Sequence, residues 1–363
     1  MRRILFLALH RPGRSPSQRF RFEQYLDFLE HNGFKCDFFY LINEKDDPIF
    51  YGGGNLINKF RILIKSIKQR WNEVKVTNSY DLIYVQRECF MLGTSFFEKS
   101  FSKNCRMIFD FDDSIWLPNV SKGNRKLRFL KNSNKTRDII RASYMVFAGN
   151  KYLADYARQF NSNVRIVPTT INTDQYVRDY NPTGKICIGW SGSTSTIEHF
   201  EYAIPFLSKI KEKYCDQVIF KVIGDESYRH DELDITGLPW CIENEVKELS
   251  SFDIGIMPLP NDEWARGKCG LKGLQYMALE TATIMSPIGV NCEIISDGKN
   301  GFLADTLFDW VEKLSNLIEN ESLRKQFGKE GRKTVIKKYS VRALSAEYVD
   351  YFHEAMNGEN YDR

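Results

Sequence analysis

Two stretches of this chain gather side chains that can do chemistry. In "IFDFDDSIW" (108–116), Asp110, Asp112 and Asp113 follow an apolar run. Three carboxylates so close together repel one another unless positive charge sits nearby. Such a trio suits a metal site, a catalytic cluster or a solvated loop. In "EWARGKCGLKGLQYMALE" (263–280), Gly267, Gly270 and Gly273 lie at and just inside an expected helix start, beside Arg266, Lys268 and Lys272. Backbone N–H groups at a helix N-terminus, with three cations at hand, suit a diphosphate. Three glycines there cost backbone entropy that a plain turn would avoid, so anion binding is the preferred reading. Leu274, Met277 and Ala278 give the same helix its buried face.

The elements that position these residues follow from the apolar pattern. Runs at 3–9, 36–42, 82–86, 107–111, 144–149 and 164–168 read as buried parallel strands, with helical stretches such as 17–32, closed by Gly33, between them. A second series follows at 186–192, 219–225, 253–259 and 282–289, separated by helical segments near 196–213, 243–250 and 270–280. Two βα series in 363 residues predict two doubly wound, Rossmann-like α/β domains facing one another. Pro182 and Gly184 break the pattern in "RDYNPTGK". The expected domains are therefore 1–180 and 181–340, with a C-terminal helix, 341–363, packing back on the first. In open parallel sheets ligands bind beyond the carboxyl ends of the strands, which places the site in the cleft between the domains.

Residues just after the strands are thus the next candidates. "SGSTST" (191–196) offers Gly192 for a tight turn, and Ser193 and Thr194 as hydroxyls toward an anion, though a plain capped turn explains it as well. Gly224, ending the next strand, joins that set. In "HRPGRSPSQRFRF" (10–22), Gly13, Arg14, Ser15 and Arg19 follow strand one and suit acceptor or phosphate contacts or a capped loop. Gln86 and Arg87 follow strand three, and His10 is the histidine nearest a strand end; His31, His199, His230 and His353 read as surface or helix residues. In 58–75, Phe60, Leu63, Ile64, Ile67, Trp71 and Val74 share one helical face among six basic residues and one acidic. That face suits an anionic membrane or packing on the sheet. A second basic stretch lies at 121–141.

The bulk composition excludes several classes. A net charge of +4, from 51 basic and 47 acidic residues, is too small to argue for nucleic acid. Eight scattered cysteines form no C-x-x-C pair and accompany no histidine cluster, which disfavours zinc and favours a reducing compartment. The start "MRRILFLALHRPGR" imitates a signal peptide, but its apolar run stops at His10 and meets arginines without a cleavage site. The expectation is a cytoplasmic protein.

The stretch 263–304 resembles the donor-binding region of glycosyltransferase family 4, a retaining group with the GT-B fold. Gly270, Leu271, Met277, Ala278, Pro287, Gly289, Glu293, Asp297, Gly298, Asn300, Gly301 and Phe302 match its pattern, and "IGWSGSTST", "NKYLADYA" and "FDDSIW" look like its envelope-polysaccharide branch. The resemblance implies transfer from a nucleotide diphosphate sugar to a glycan or lipid-linked acceptor. Arg266, Lys268 and Lys272 would offset charge on the diphosphate as metals do elsewhere, so no metal and no other cofactor is expected, and the basic amphipathic stretches suit a place at the inner face of the plasma membrane. The family's two glutamates, eight positions apart, fall here on Gly267 and Gln275, and its Arg and Lys fall on Ser193 and Glu198. Arg266, Lys268 and Lys272 then stand where the diphosphate should lie, and Gln275 is left to hydrogen-bond a ribose hydroxyl. Asp112 aligns with a position often held by a histidine near the donor sugar, where it would orient the acceptor or stabilise positive charge at the sugar carbon. "DFD" also matches the D-x-D of the other major glycosyltransferase fold, but that fold has a single nucleotide-binding domain. A silent partner subunit and a GT-B-shaped nucleotide-sugar epimerase remain alternatives.

Overall fold

The computed structural model describes residues 1–117, 132–179 and 184–358. Part of the expected domain boundary and most of the basic stretch 121–141 lie outside those residues. The chain divides into two compact units, Met1–Pro168 together with the segment from Ser345 onward, and Thr169–Leu344. The first unit thus ends ahead of residue 180.

In the first unit, β1 (Arg2–His10), β2 (Phe34–Ile42), β3 (Leu82–Gln86), β4 (Met107–Phe111), β5 (Met145–Ala148) and β6 (Val164–Ile166) form one sheet in the order β2-β1-β3-β4-β5-β6. Every pairing is parallel. β3 and β4 are buried at every position, as expected for strands covered on both faces. The region 17–32 is not one helix. It breaks into Pro16–Arg21, a 3₁₀ turn at Glu23–Tyr25, and Leu26–His31. At the break Phe22 leaves helical geometry (φ −139°) and stacks on Phe6 at 5.2 Å, so burial of one ring overrides helix continuity. The C-terminal helix, Val341–Asn357, completes this core: Tyr348 stacks on Tyr25 at 4.2 Å, and Phe352 lies 5.9 Å from Tyr84.

The second unit holds β7 (Ile186–Ser191), β8 (Val218–Ile223), β11 (Ile254–Met257), β12 (Ala282–Met285) and β13 (Phe302–Leu303) in the parallel order β13-β12-β11-β7-β8. A two-strand hairpin, β9 (Arg229–His230) with β10 (Ile235–Thr236), stands apart from it. The expected helix 196–213 is two, Ile197–Glu201 and Ile204–Tyr214, with Pro205 opening the second. Trp190, Phe200, Phe206 and Trp310 anchor this core, the last two rings stacked at 4.4 Å. No described helix is long and apolar enough to cross a membrane.

Candidate active site

The second unit builds its candidate site where β7, β8 and β11 end. A Cβ on Gly224 would lie 2.2 Å from the Gly192 carbonyl oxygen, and one on Gly192 would strike the Trp190 ring at 2.1 Å. These two glycines therefore let adjacent strand ends approach each other, a requirement that holds without any ligand. In the next turn the Ser193 N–H donates to Thr196 Oγ1 (3.0 Å), and the Ser193 and Ser195 hydroxyls pair at 2.9 Å, while Thr194 is exposed.

Beyond β11, Asp262 caps the short helix Glu263–Arg266 by accepting from the Ala265 N–H at 2.7 Å. The chain then turns through Gly267 to Gly270, which takes a left-handed conformation (φ +72°) as N-cap of the helix Leu271–Ala278. A Cβ there would lie 2.2 Å from Ile294 Cδ1, and one on Gly273 would lie 2.5 Å from Met285 Cε. Gly289, also left-handed, lets its loop approach the Arg266 carbonyl. The helix is tied to the end of β7 by Tyr276, whose hydroxyl oxygen accepts from the Ser191 N–H at 2.8 Å. The expected cations separate here. Lys272 Nζ sits 4.8 Å from the centre of the Trp190 ring and Lys268 Nζ 5.1 Å from that of Trp264, each placed over an aromatic face. The Arg266 guanidinium donates to Asn261 Oδ1 at 3.0 Å.

His199 joins the two lysines, although the sequence marked it only as a surface or helix residue. Burial, and then the positive charges of Lys272 and Lys268, lower its pKa to about 4, so its imidazole is neutral at pH 7. One available signal was its place in the first helix after "WSGSTST", the same turn that carries Ser193. Gln275 corrects an expectation. It is 5% exposed, and its amide donates to the Tyr176 hydroxyl at 2.9 Å. Tyr176 in turn donates to Glu245, which also accepts from Trp240 Nε1. The amide is thus committed to the interior of the unit rather than presented to a ribose.

The first unit answers the question of the three aspartates. Asp110 is fully buried and faces Arg21, whose Nε lies 3.1 Å from its carboxylate and which also donates to the Val167 carbonyl. Burial pushes the Asp110 pKa up, against the pull of the guanidinium. Asp110 is thus committed to Arg21 inside the fold. Asp113 does accept from the Ser114 N–H at 3.1 Å. Asp112 accepts from Ser17 Oγ at 2.6 Å and from Arg87 Nε at 2.7 Å. Burial opposes its ionisation, but the charges of Arg87 and Arg21 and these hydrogen bonds outweigh it and hold the carboxyl below its usual range. Ser17 in turn accepts from Gln86 Nε2. Arg87 makes its contact from a left-handed backbone, φ +58°, a conformation costly for a side chain of this size.

The loop after β1 is held just as tightly. Arg14 Nε and Arg11 Nη1 both donate to Asp47 Oδ2, at 2.5 and 2.6 Å, so Arg14 is engaged with a carboxylate rather than poised for a phosphate. The Gly13 N–H donates to Glu23 at 2.8 Å, Ser15 makes no side-chain cap, and Arg19 lies 4.9 Å from the Phe20 ring centre. His10 ends β1 beside Tyr51 and Gln18, and burial lowers its pKa to about 4. Among the described residues no three His, Cys, Asp or Glu side chains are grouped to hold a metal ion.

Comparison with known proteins gives this geometry a class. Residues 185–320, most of the second unit, match the family model described as glycosyl transferases group 1. No curated protein matches the sequence. Among solved structures the chain resembles sucrose-phosphate synthase of Thermosynechococcus elongatus, with a TM-score of 0.73, 13% identity, and 99% of this chain and 100% of that one covered. A glycosyltransferase of Rickettsia africae follows at 0.68 and 14%, with 99% of each chain covered. HepE of Anabaena, solved with UDP and glucose, aligns at 0.65 and 13%, over 96% of this chain and 99% of that one. The fold is GT-B, with two Rossmann-like domains, and with the family match it defines an enzyme of the glycosyltransferase class.

Proposed function

We propose that the protein transfers a sugar from a nucleotide diphosphate sugar to a glycan or lipid-linked acceptor during synthesis of a surface polysaccharide or glycoconjugate. The observation that carries this reading is the turn from Gly267 to Lys272. A left-handed glycine opens a helix there while Lys268 and Lys272 stand beside a neutral His199. In the proposed reaction the acceptor oxygen forms a bond to the anomeric carbon as the bond from that carbon to the diphosphate oxygen breaks, and the acceptor's hydroxyl proton passes to the departing diphosphate. Lys268, Lys272 and Arg266 offset the charge gathering on the departing diphosphate, the task that a metal ion performs elsewhere. The first unit takes the acceptor, with Asp112 orienting its hydroxyl as an ionised carboxylate. The stereochemical outcome is retention, as the family resemblance implies, and the three cations leave the reaction no need of a metal. The work is done in the cytoplasm, at the inner face of the plasma membrane.

The test is thermal stabilisation by a panel of nucleotides and nucleotide sugars, with and without EDTA. One nucleoside diphosphate sugar should raise the melting temperature, and EDTA should leave that rise intact. Lys268→Ala with Lys272→Ala should weaken the affinity roughly ten- to a hundredfold, the worth of charge-assisted hydrogen bonds to phosphate. A rise abolished by EDTA would sink the metal-free mechanism. Gly267, where the family has a carboxylate, and the buried Gln275 favour one other reading, a silent partner subunit. In that case the donor would bind without turnover, or no compound would shift the melt.

A further inference from the structure

The helix Leu56–Val76 buries Ile62 beside polar side chains, and leaves Leu63, Ile67 and Val74 only half-buried. Its buried positions include Ser66, Arg70 and Glu73. Arg70 donates to the carbonyls of Cys89 (2.7 Å) and Ala8 (2.8 Å) and pairs with Glu73, so a polar face is satisfied inside the unit. Part of its apolar face turns outward. Leu56, Ile57, Phe60, Ile64 and Trp71 are between 45 and 79% exposed, and Phe96, with its ring 5.2 Å from that of Trp71, extends the patch. At 100° per residue these side chains share one stripe of the helix, and Arg61, Lys65, Lys68 and Lys75 fall along one border of it, all exposed. Leaving so much apolar surface in water is unfavourable unless something covers it.

We infer that this stripe docks on an anionic lipid bilayer, with Phe60, Ile64 and Trp71 entering the interface and the basic border meeting the headgroups. Charge decides between the occupants. A second copy laid face to face and antiparallel would bring two like-charged borders together, whereas an anionic surface is complementary to one. Apolar insertion and basic attraction are individually weak and become effective together. The inference rests on the lipid-linked acceptor of the proposed function and names the surface that would meet its membrane.

The experiment is flotation of the full chain with vesicles of phosphatidylcholine, with and without phosphatidylglycerol. The protein should float with the anionic vesicles only, and salt should release it. Phe60→Ser with Ile64→Ser should lower the partition at least tenfold while leaving the melting temperature unchanged, because both side chains are already exposed. Lys68→Glu should lower it about fivefold or more. Absence of flotation with anionic vesicles would overturn the inference, as would a dimer in solution that Phe60→Ser dissociates. Vesicle binding needs neither donor nor turnover. Flotation without transfer would therefore count against the proposed function alone, and transfer to a soluble acceptor without flotation against this inference alone.

Discussion

The charged clusters at the strand ends of the two units are built differently. In the first, arginines and carboxylates cancel one another inside the fold: Arg21 with Asp110, Arg87 with Asp112, Arg14 and Arg11 with Asp47. In the second, Lys268 and Lys272 lie over tryptophan faces at a turn shaped by glycine, near a histidine that they help keep neutral. The first arrangement holds its side chains, Asp112 among them, in set positions. The second gathers two lysines around a helix start whose N-cap is a left-handed glycine, a place suited to an anion. The difference teaches that a cluster of chemical residue types is not yet a binding site. What also counts is the backbone around it, here a left-handed glycine at a helix start.

That contrast breaks most severely at Arg21. Its replacement by Met should cost about 3–5 kcal/mol, because the buried Asp110 would lose its compensating charge. Chemical denaturation reads this directly, and an unchanged midpoint would show that the pair is not structural. Gly270→Ala probes the other unit. The added methyl meets Ile294 in a left-handed backbone, so a loss of about 1–3 kcal/mol is expected, together with weaker donor binding. Equal stability and equal donor binding in that variant would mean that the turn does not shape the site.

The smallest effect sharpens the comparison through pH, since each unit holds one histidine with a lowered pKa. His10 and His199 titrate at about 4 in the folded protein against an ordinary 6.5. Between those values the unfolded chain binds more protons, so stability falls as pH drops from about 6.5 toward 4. Each histidine should contribute about 1–3 kcal/mol to that loss after allowance for solvent. Melting temperatures across this window should flatten in a variant with His10→Asn and His199→Asn. An equally steep profile in the double variant would assign the slope to other groups.

Much of the architecture was legible because buried parallel strands are continuous apolar runs. "LIYVQ" and "MIFDF" coincide with β3 and β4 to the residue. The helix start after Gly270 was legible from its glycines, though their close packing on Ile294 and Met285 was not. Long-range pairing was not. Nothing local in "RFRFEQ" says that Arg21 meets a carboxylate 89 positions later. Gln275 was misread because the helix Leu271–Ala278 is buried from Gly273 onward, so no polar stripe marks where an amide must find an internal partner. For the 56–76 helix the sequence left two readings open, a membrane face and packing on the sheet. Periodicity reveals two faces but not which one the sheet accepts, and here a buried arginine that caps strand and loop carbonyls made the choice.

The C-terminal helix sets the order in which the molecule can be completed on a ribosome. The first unit emerges early, yet Tyr348 and Phe352, which cover Tyr25 and Tyr84, are made only after the whole second unit. At about 5–20 residues per second, the stretch from 169 to 344 takes roughly 10 to 35 s to synthesise. For that interval the older sheet waits with an apolar flank open, and the younger unit is the first to close.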